Sequence, residues 1–152
     1  MKILVVSDSH GNKKALLEAA GRETPDVILH LGDYARDCLA LRLRCPGRQI
    51  LAVRGNCDGP SPEPAQRELT LAGKKILMTH GHLYGVKRST ETLEDEGFAQ
   101  DADAVLYGHT HVAGWKRLGN MLLINPGSIG FEGTYAVLTI EDGQLRPELK
   151  HL

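Results

Sequence analysis

A chain of 152 residues is long enough to bury a proper core and short enough to be read as one domain spanning 1–152. Hydrophobic residues make up 41% and charged residues 24%, ordinary globular values, and 18 basic against 19 acidic residues leave a net charge of −1. That balance excludes a general electrostatic pull toward nucleic acid or an anionic membrane, and no apolar run approaches a membrane span.

The apolar stretch after Met1 ends in Asp8, too short for a signal peptide, and is read as a first strand over 3–7. Asn12 then caps a helix whose Ala15, Leu16, Ala19 and Ala20 form one apolar stripe, with Gly21 as its stop. Pro25 opens a strand over 26–31. A second helix is predicted at 35–44, with Leu39, Ala40 and Leu43 facing inward, ended by Pro46-Gly47. A strand at 49–54 closes a βαβαβ section, which implies parallel strands with right-handed crossovers.

Residues 59–66 hold three of the seven prolines and predict an extended surface loop. Strands at 67–71 and 75–79 follow, joined by Ala72-Gly73. A polar helix is predicted over 87–98, with Leu93 and Phe98 on its inner side, and then a strand at 104–107. Segments 112–118 and 121–124 flank Gly119-Asn120, a strong two-residue hairpin signal. A last hairpin, 134–140 and 144–149, turns at Glu141-Asp142-Gly143. The second half is β-rich with antiparallel pairs, so two packed sheets flanked by helices fit better than one doubly wound sheet.

Five polar clusters stand where apolar runs end: Asp8-Ser9-His10, Gly32-Asp33, Gly55-Asn56-Cys57-Asp58, His80-Gly81-His82 and Gly108-His109-Thr110-His111. Open α/β folds gather such carboxyl-terminal strand ends on one edge, where their sites form. Carboxylate, amide oxygen and imidazole converging there make a ligand set for divalent metals, large enough for two ions. In an extended backbone Asp8 and His10, at i and i+2, share one side, and His109 and His111 repeat that spacing. Asp33 has two oxygens and can bridge two cations. Gly32, Gly55, Gly81 and Gly108 permit sharp turns and close approach.

Two metals about 3.5–4 Å apart form a device for phosphoryl transfer, in which a bridging water ionises near neutral pH and attacks in line with the leaving alkoxide. For any single cluster a cap or turn role is the commoner reading; the seven ligand-type residues at five strand ends make the case together. His30, inside a strand, is read as a satisfied core histidine, and Cys38 and Cys45 as small core residues. Arg42, Arg44 and Arg48, like Glu91, Glu94, Asp95 and Glu96, are read as solvated surface. Three cysteines without a Cys-x-x-Cys pair point to a reducing, cytoplasmic setting.

In their order along the chain, Asp-x-His, Gly-Asp, Gly-Asn-x-Asp, His-Gly and Gly-His-x-His resemble the calcineurin-like metallophosphoesterase superfamily. The short length, Gly55-Asn56-Cys57-Asp58 and Ile124-Asn125-Pro126-Gly127-Ser128 are similar to its small YfcE-like phosphodiesterase branch. The resemblance covers residues 1 to about 130. It implies an α/β fold, a four-layer α/β/β/α sandwich of two mixed sheets flanked by helices, around a dinuclear site. One metal would take Asp8, His10, Asp33 and His111, and the second Asp33, Asn56, His80 and His109.

Many members carry histidine where Cys57 stands. Cysteine is a poorer proton donor to an alkoxide, which favours substrates with good leaving groups. Asp58 is read as orienting a neighbour, and His82 as facing either substrate phosphate or solvent. Two divalent ions are expected, manganese preferred, with iron, zinc or nickel as alternatives. The implied activity is a phosphodiesterase on small or exposed diesters, without specific nucleic-acid binding and off the membrane; a homo-oligomer stays open. A phosphomonoesterase or dinucleotide polyphosphate hydrolase shares the same mechanism. A non-catalytic interaction scaffold, as the retromer small subunit resembles, is disfavoured because all seven ligand positions are filled.

Overall fold

The computed structural model describes residues 1–152. Its first sheet is built from β1 (Lys2–Val6), β2 (Val27–His30), β3 (Gln49–Ala52), β9 (Thr134–Glu141) and β10 (Gln144–His151), in the order β10-β9-β1-β2-β3. Strands β1, β2 and β3 are parallel, and β9 and β10 join antiparallel. The second sheet runs β4-β5-β6-β8-β7, from β4 (Gln66–Leu71), β5 (Lys74–Thr79), β6 (Ala104–Leu106), β7 (Gly114–Leu118) and β8 (Met121–Asn125). Here β5, β6 and β8 are parallel, with antiparallel hairpin partners at both edges.

Alternation along each strand assigns the two faces. Ile3, Val5, Leu29, Met78, Leu106 and Ile124 fill the core between the sheets. Leu4, Val6 and Ile28 turn the other way, onto Leu16 and Ala19 of α1 (Lys13–Glu23) and Leu41 of α2 (Cys38–Arg44). Leu77, Val105 and Leu123 pack on Leu93 of α3 (Glu91–Ala99). Four layers result, α/β/β/α, as the motif resemblance implied.

Three local expectations are corrected. Helix α1 does not stop at Gly21; it runs to Glu23 and closes on Thr24 in the left-handed region, whose N–H bonds the Ala20 carbonyl. In α2 the inward residues are Cys38 and Leu41, while Leu39 and Leu43 are exposed. A preceding single 3₁₀ turn at Ala35–Asp37 explains this, because three-residue spacing from buried Ala35 selects Cys38 and then Leu41. Helix α3 begins at Glu91 rather than 87. Its inner side is Leu93 and Gly97, so Phe98, one step round, faces solvent.

Candidate metal centre

The five clusters do meet at the strand ends, by a backbone route that alternation alone does not describe. Asp8 (φ 54°), His10 (φ 45°), Asp33 (φ 57°), His109 (φ 70°) and His111 (φ 61°) all lie in the left-handed region, so neither i, i+2 pair is extended. They are five of the ten non-glycine residues with positive φ in the chain. Each such residue costs about 1–2 kcal/mol, and that strain persists only where surrounding bonds enforce it. They do so at Asp8, whose N–H donates to the Gly32 carbonyl at 3.0 Å, while its own carbonyl accepts from Ser128 Oγ at 2.9 Å and Gly130 N–H at 3.2 Å.

Close approach is the glycine requirement at Gly55 and Gly108. A Cβ at Gly55 would fall 2.2 Å from Asp33 Oδ1, and one at Gly108 would fall 2.0 Å from Ser7 Oγ and 2.9 Å from Asp8 Oδ2. Asn125, at the end of β8, holds the second loop from below: its amide donates to the Gly108 carbonyl (3.1 Å) and Thr110 Oγ1 (2.9 Å).

Asp8 is wholly buried and Asp33 nearly so. One oxygen of each is fixed by the protein. Asp8 Oδ2 accepts from Ser7 Oγ and from His109 N–H, and Asp33 Oδ1 accepts from Cys57 N–H at 2.8 Å. The other oxygens face the imidazoles. Asp8 Oδ1 is 3.0 Å from His111 Nε2, 3.7 Å from His10 Nε2 and 3.9 Å from His80 Nε2. Asp33 Oδ2 is 3.8 Å from His10 Nε2 and 3.5 Å from His80 Nε2. Two groups, Asp8-His10-His111 and Asp8-Asp33-His80, therefore have ligand atoms close enough to hold an ion.

The donor chemistry fits divalent cations. His80 Nδ1 is 2.8 Å from the Leu31 carbonyl, which can only accept, so Nδ1 carries a proton and Nε2 points into the site. That Nε2 lies 3.1 Å from Asn56 Oδ1, while the Asn56 amide nitrogen donates to Cys57 Sγ. The ring nitrogen and oxygens of Asn56 and Asp33 thus converge on one point, with Asp33 Oδ2 3.5 Å from the same Nε2, a donor set that suits a cation. His10 Nε2 is buried and without a partner. Buried carboxylates need a compensating positive charge, and no lysine or arginine reaches Asp8 or Asp33.

Burial works against ionisation of Asp33, but bonds from His80 and the Cys57 N–H hold it well below the usual carboxylate range. Burial likewise opposes a charge on His80, yet Asp33 and Asp8 push its pKa up. His109 is lowered to about 4 by burial, His80 and Lys87. Its ring is 5.0 Å from that of His80, but its ring nitrogens belong to neither close group. His82 lies beyond, tilted against both rings, 5.4 Å from His80 and 6.1 Å from His109, with a partnerless Nδ1 and a pKa lowered by burial.

Asp58 orients its neighbours, as read from the sequence. Its carboxylate accepts from Asp33 N–H (2.9 Å), Ala35 N–H (2.8 Å) and Gly55 N–H (2.6 Å), tying two site loops together. The exposed Cys57 thiol is pushed up by burial and by Asp33, which makes it a weak acid near neutrality. His30 is the satisfied core histidine expected of it. Burial lowers it to about 4, its Nδ1 accepts Gly32 N–H at 3.1 Å, and Nε2–H donates to Ser9 Oγ at 3.0 Å. Ser9 in turn donates to buried Asp37 at 2.8 Å.

Sequence reading missed the aromatic residues around His10. Phe131 lies 4.7 Å from the His10 ring and 5.5 Å from His111, and Tyr34 lies 5.3 Å from His10. Nothing in their spacing signals this, because Phe131 comes from a loop more than a hundred residues from His10.

The chain is similar to known proteins along most of its length. Residues 1–143 match the calcineurin-like phosphoesterase superfamily domain. A probable metallophosphoesterase of Bacillus subtilis, YsnB, is 37% identical over 93% of this chain and 86% of its own. The phosphodiesterase YfcE of Escherichia coli is 30% identical over 85% and 79%. Among solved structures, a predicted phosphoesterase of Streptococcus pneumoniae superposes with a TM-score of 0.82 at 29% identity, covering 99% of this chain and 88% of that one. Vps29 of Entamoeba histolytica, at 21% identity and a TM-score of 0.77 over 100% and 99%, shares the fold.

Proposed function

Because the chain belongs to the calcineurin-like phosphoesterase superfamily, we propose that it is a two-metal phosphodiesterase acting on small or exposed phosphodiesters. The proposed ligands are Asp8, His10, Asp33 and His111 for one ion and Asp33, Asn56, His80 and His109 for the other. The observation that carries this reading is the free oxygen of Asp33, which stands between His10 Nε2 and His80 Nε2 at 3.8 and 3.5 Å. When bound, two divalent ions supply Lewis acidity and a water that ionises near neutral pH.

The chain's own residues do the rest. Leu31 fixes the His80 tautomer, and Asp58 sets the loops that carry Asp33 and Asn56. With a raised thiol pKa, Cys57 does little to protonate a leaving alkoxide, so aryl and other good leaving groups are favoured. Phe131, beside His10 and His111, is exposed, which supports an open cleft. Manganese is the preferred activator in this reading, with iron, zinc or nickel as alternatives, and nitrogen and oxygen donors without thiolate suit all four. The domain spans 1–152, acts in the cytoplasm with its free cysteines reduced, and requires no nucleic-acid or membrane partner. All seven ligand positions are filled, which favours catalysis over a scaffold role.

The test is elemental analysis after reconstitution with manganese, paired with hydrolysis of bis(p-nitrophenyl) phosphate and p-nitrophenyl phosphate. Two ions per chain and faster diester turnover are expected. Occupancy of one ion or less would overturn the dinuclear site, and faster monoester turnover would overturn the diesterase assignment.

A further inference from the structure

Beside the metal centre, between α2 and the proline-rich loop, lies a cavity of about 370 Å³ lined by Arg36, Leu39, Arg42, Cys57, Pro60 and Pro62, among others. It shares a wall with the site, because Cys57 donates its N–H to Asp33 and follows Asn56 directly. The left-handed step that aims Asp33 at the metals continues into Tyr34 (φ 64°). The Tyr34 ring therefore sits between His10, 5.3 Å away, and the Arg36 guanidinium, 4.7 Å from the ring centre.

The charges on this wall are unequal in availability. Arg42 is paired with Glu63 at 3.3 Å, and Glu63 is also held by Arg67 at 2.8 Å. Asp58 lines the cavity too, but its oxygens are taken by three backbone N–H groups. Arg36 alone has no carboxylate partner, and its side chain is braced by the tyrosine face rather than neutralised. An unpaired guanidinium one aromatic ring away from a metal ligand, above apolar Leu39 and proline walls, is built to take an anion on a short carbon frame.

We propose that this cavity is a subsite for a second anionic group on the substrate, with Arg36 as its specificity-determining contact. The substrates are then small phosphodiesters with one ester arm ending in a further phosphate or carboxylate. This rests on the phosphodiesterase reading and narrows it.

The experiment is calorimetric titration of manganese-loaded protein with alkanediol bisphosphates from ethane to pentane, against alkyl monophosphates of the same lengths. At one chain length the bisphosphate should bind about tenfold more tightly than its monophosphate partner, the scale of one charge-assisted contact. Arg36→Gln should abolish that advantage, and Arg36→Lys, which keeps charge but loses the planar fork, should retain part of it. Monophosphates bearing a terminal carboxylate separate the two anions: a gain for both defines a general anion subsite, and a gain for the bisphosphate alone defines a phosphate subsite. No advantage at any length, or one that survives in Arg36→Gln, overturns the inference. Failure of the phosphodiesterase reading shows separately, as absent metal-dependent hydrolysis of bis(p-nitrophenyl) phosphate by the same preparation.

Discussion

Glu23 and Asp33 are both carboxylates sunk into this fold, and they are met by different chemistry. Glu23, at the end of α1, receives Lys150 Nζ at 3.1 Å on each oxygen and the Tyr135 hydroxyl at 3.0 Å, with Lys2 at 3.7 Å. Asp33, and Asp8 beside it, face imidazoles, backbone N–H groups and, at Asp8, the Ser7 hydroxyl, with one oxygen of each left toward the middle. The first cluster is electrically complete without help. The second has no lysine or arginine beside it, and its side-chain counter-charge comes from His80, whose pKa Asp33 and Asp8 push up against burial. Burial alone does not mark a functional carboxylate; what distinguishes Asp33 is burial without a lysine or arginine, on a backbone held in the left-handed region.

The contrast breaks most sharply at Asp33. Asp33→Asn should cut metal-dependent diester turnover at least about 10²-fold and lower manganese occupancy, a larger loss than His10→Ala at saturating metal. The metal-free variant should melt lower than wild type, because His80 and the Cys57 N–H hold Asp33 ionised in the fold and the amide loses those charge-assisted contacts. A milder activity loss than in His10→Ala would show that Asp33 does not bridge.

Asp58→Asn tests the support beneath the same site. The amide keeps the shape but weakens acceptance from the Asp33, Ala35 and Gly55 N–H groups. Manganese affinity should fall about 10–100-fold, the range for partners that orient ligands, while kcat at saturating metal falls much less. An equal fall in kcat at saturating metal would place Asp58 at the reacting atoms.

The two clusters also differ in how much of them the sequence discloses. The candidate rim was legible because each proposed ligand follows an apolar strand, so position along the chain translates into position on one edge. The structure brings these residues together although the extended-backbone argument for Asp8-x-His10 fails: loop hydrogen bonds to Ser128 and Gly130, far along the chain, impose the left-handed turns. The Glu23 cluster was invisible. Tyr135 and Lys150 lie 112 and 127 residues away, and nothing local signals a pair that only β9–β10 register brings to α1. Leu39, Leu43 and Phe98 were misplaced for a related reason, since apolar residues alone do not fix where a short helix begins, and one residue of offset turns a face outward.

Glu23→Gln probes the complete cluster and carries the smallest effect of the three substitutions on function. It should leave manganese stoichiometry and diester turnover unchanged while lowering unfolding free energy by about 2 kcal/mol, the scale of losing charge-assisted hydrogen bonds at a partly solvated lysine. The pH dependence follows from the same contacts. Burial works against the charged carboxylate, but Lys150 and Tyr135 hold Glu23 below its ordinary value of 4.5. The unfolded chain therefore takes up this proton first on acidification. The stabilisation is complete above pH 4.5 and is lost as pH falls through the folded value. Urea unfolding of wild type and Glu23→Gln at a series of pH values should show a gap that is constant near neutrality and narrows on acidification below 4.5. A gap that widened toward acid would mean that Glu23 is held protonated, and that the cluster at α1 is no more complete than the one at the metal rim.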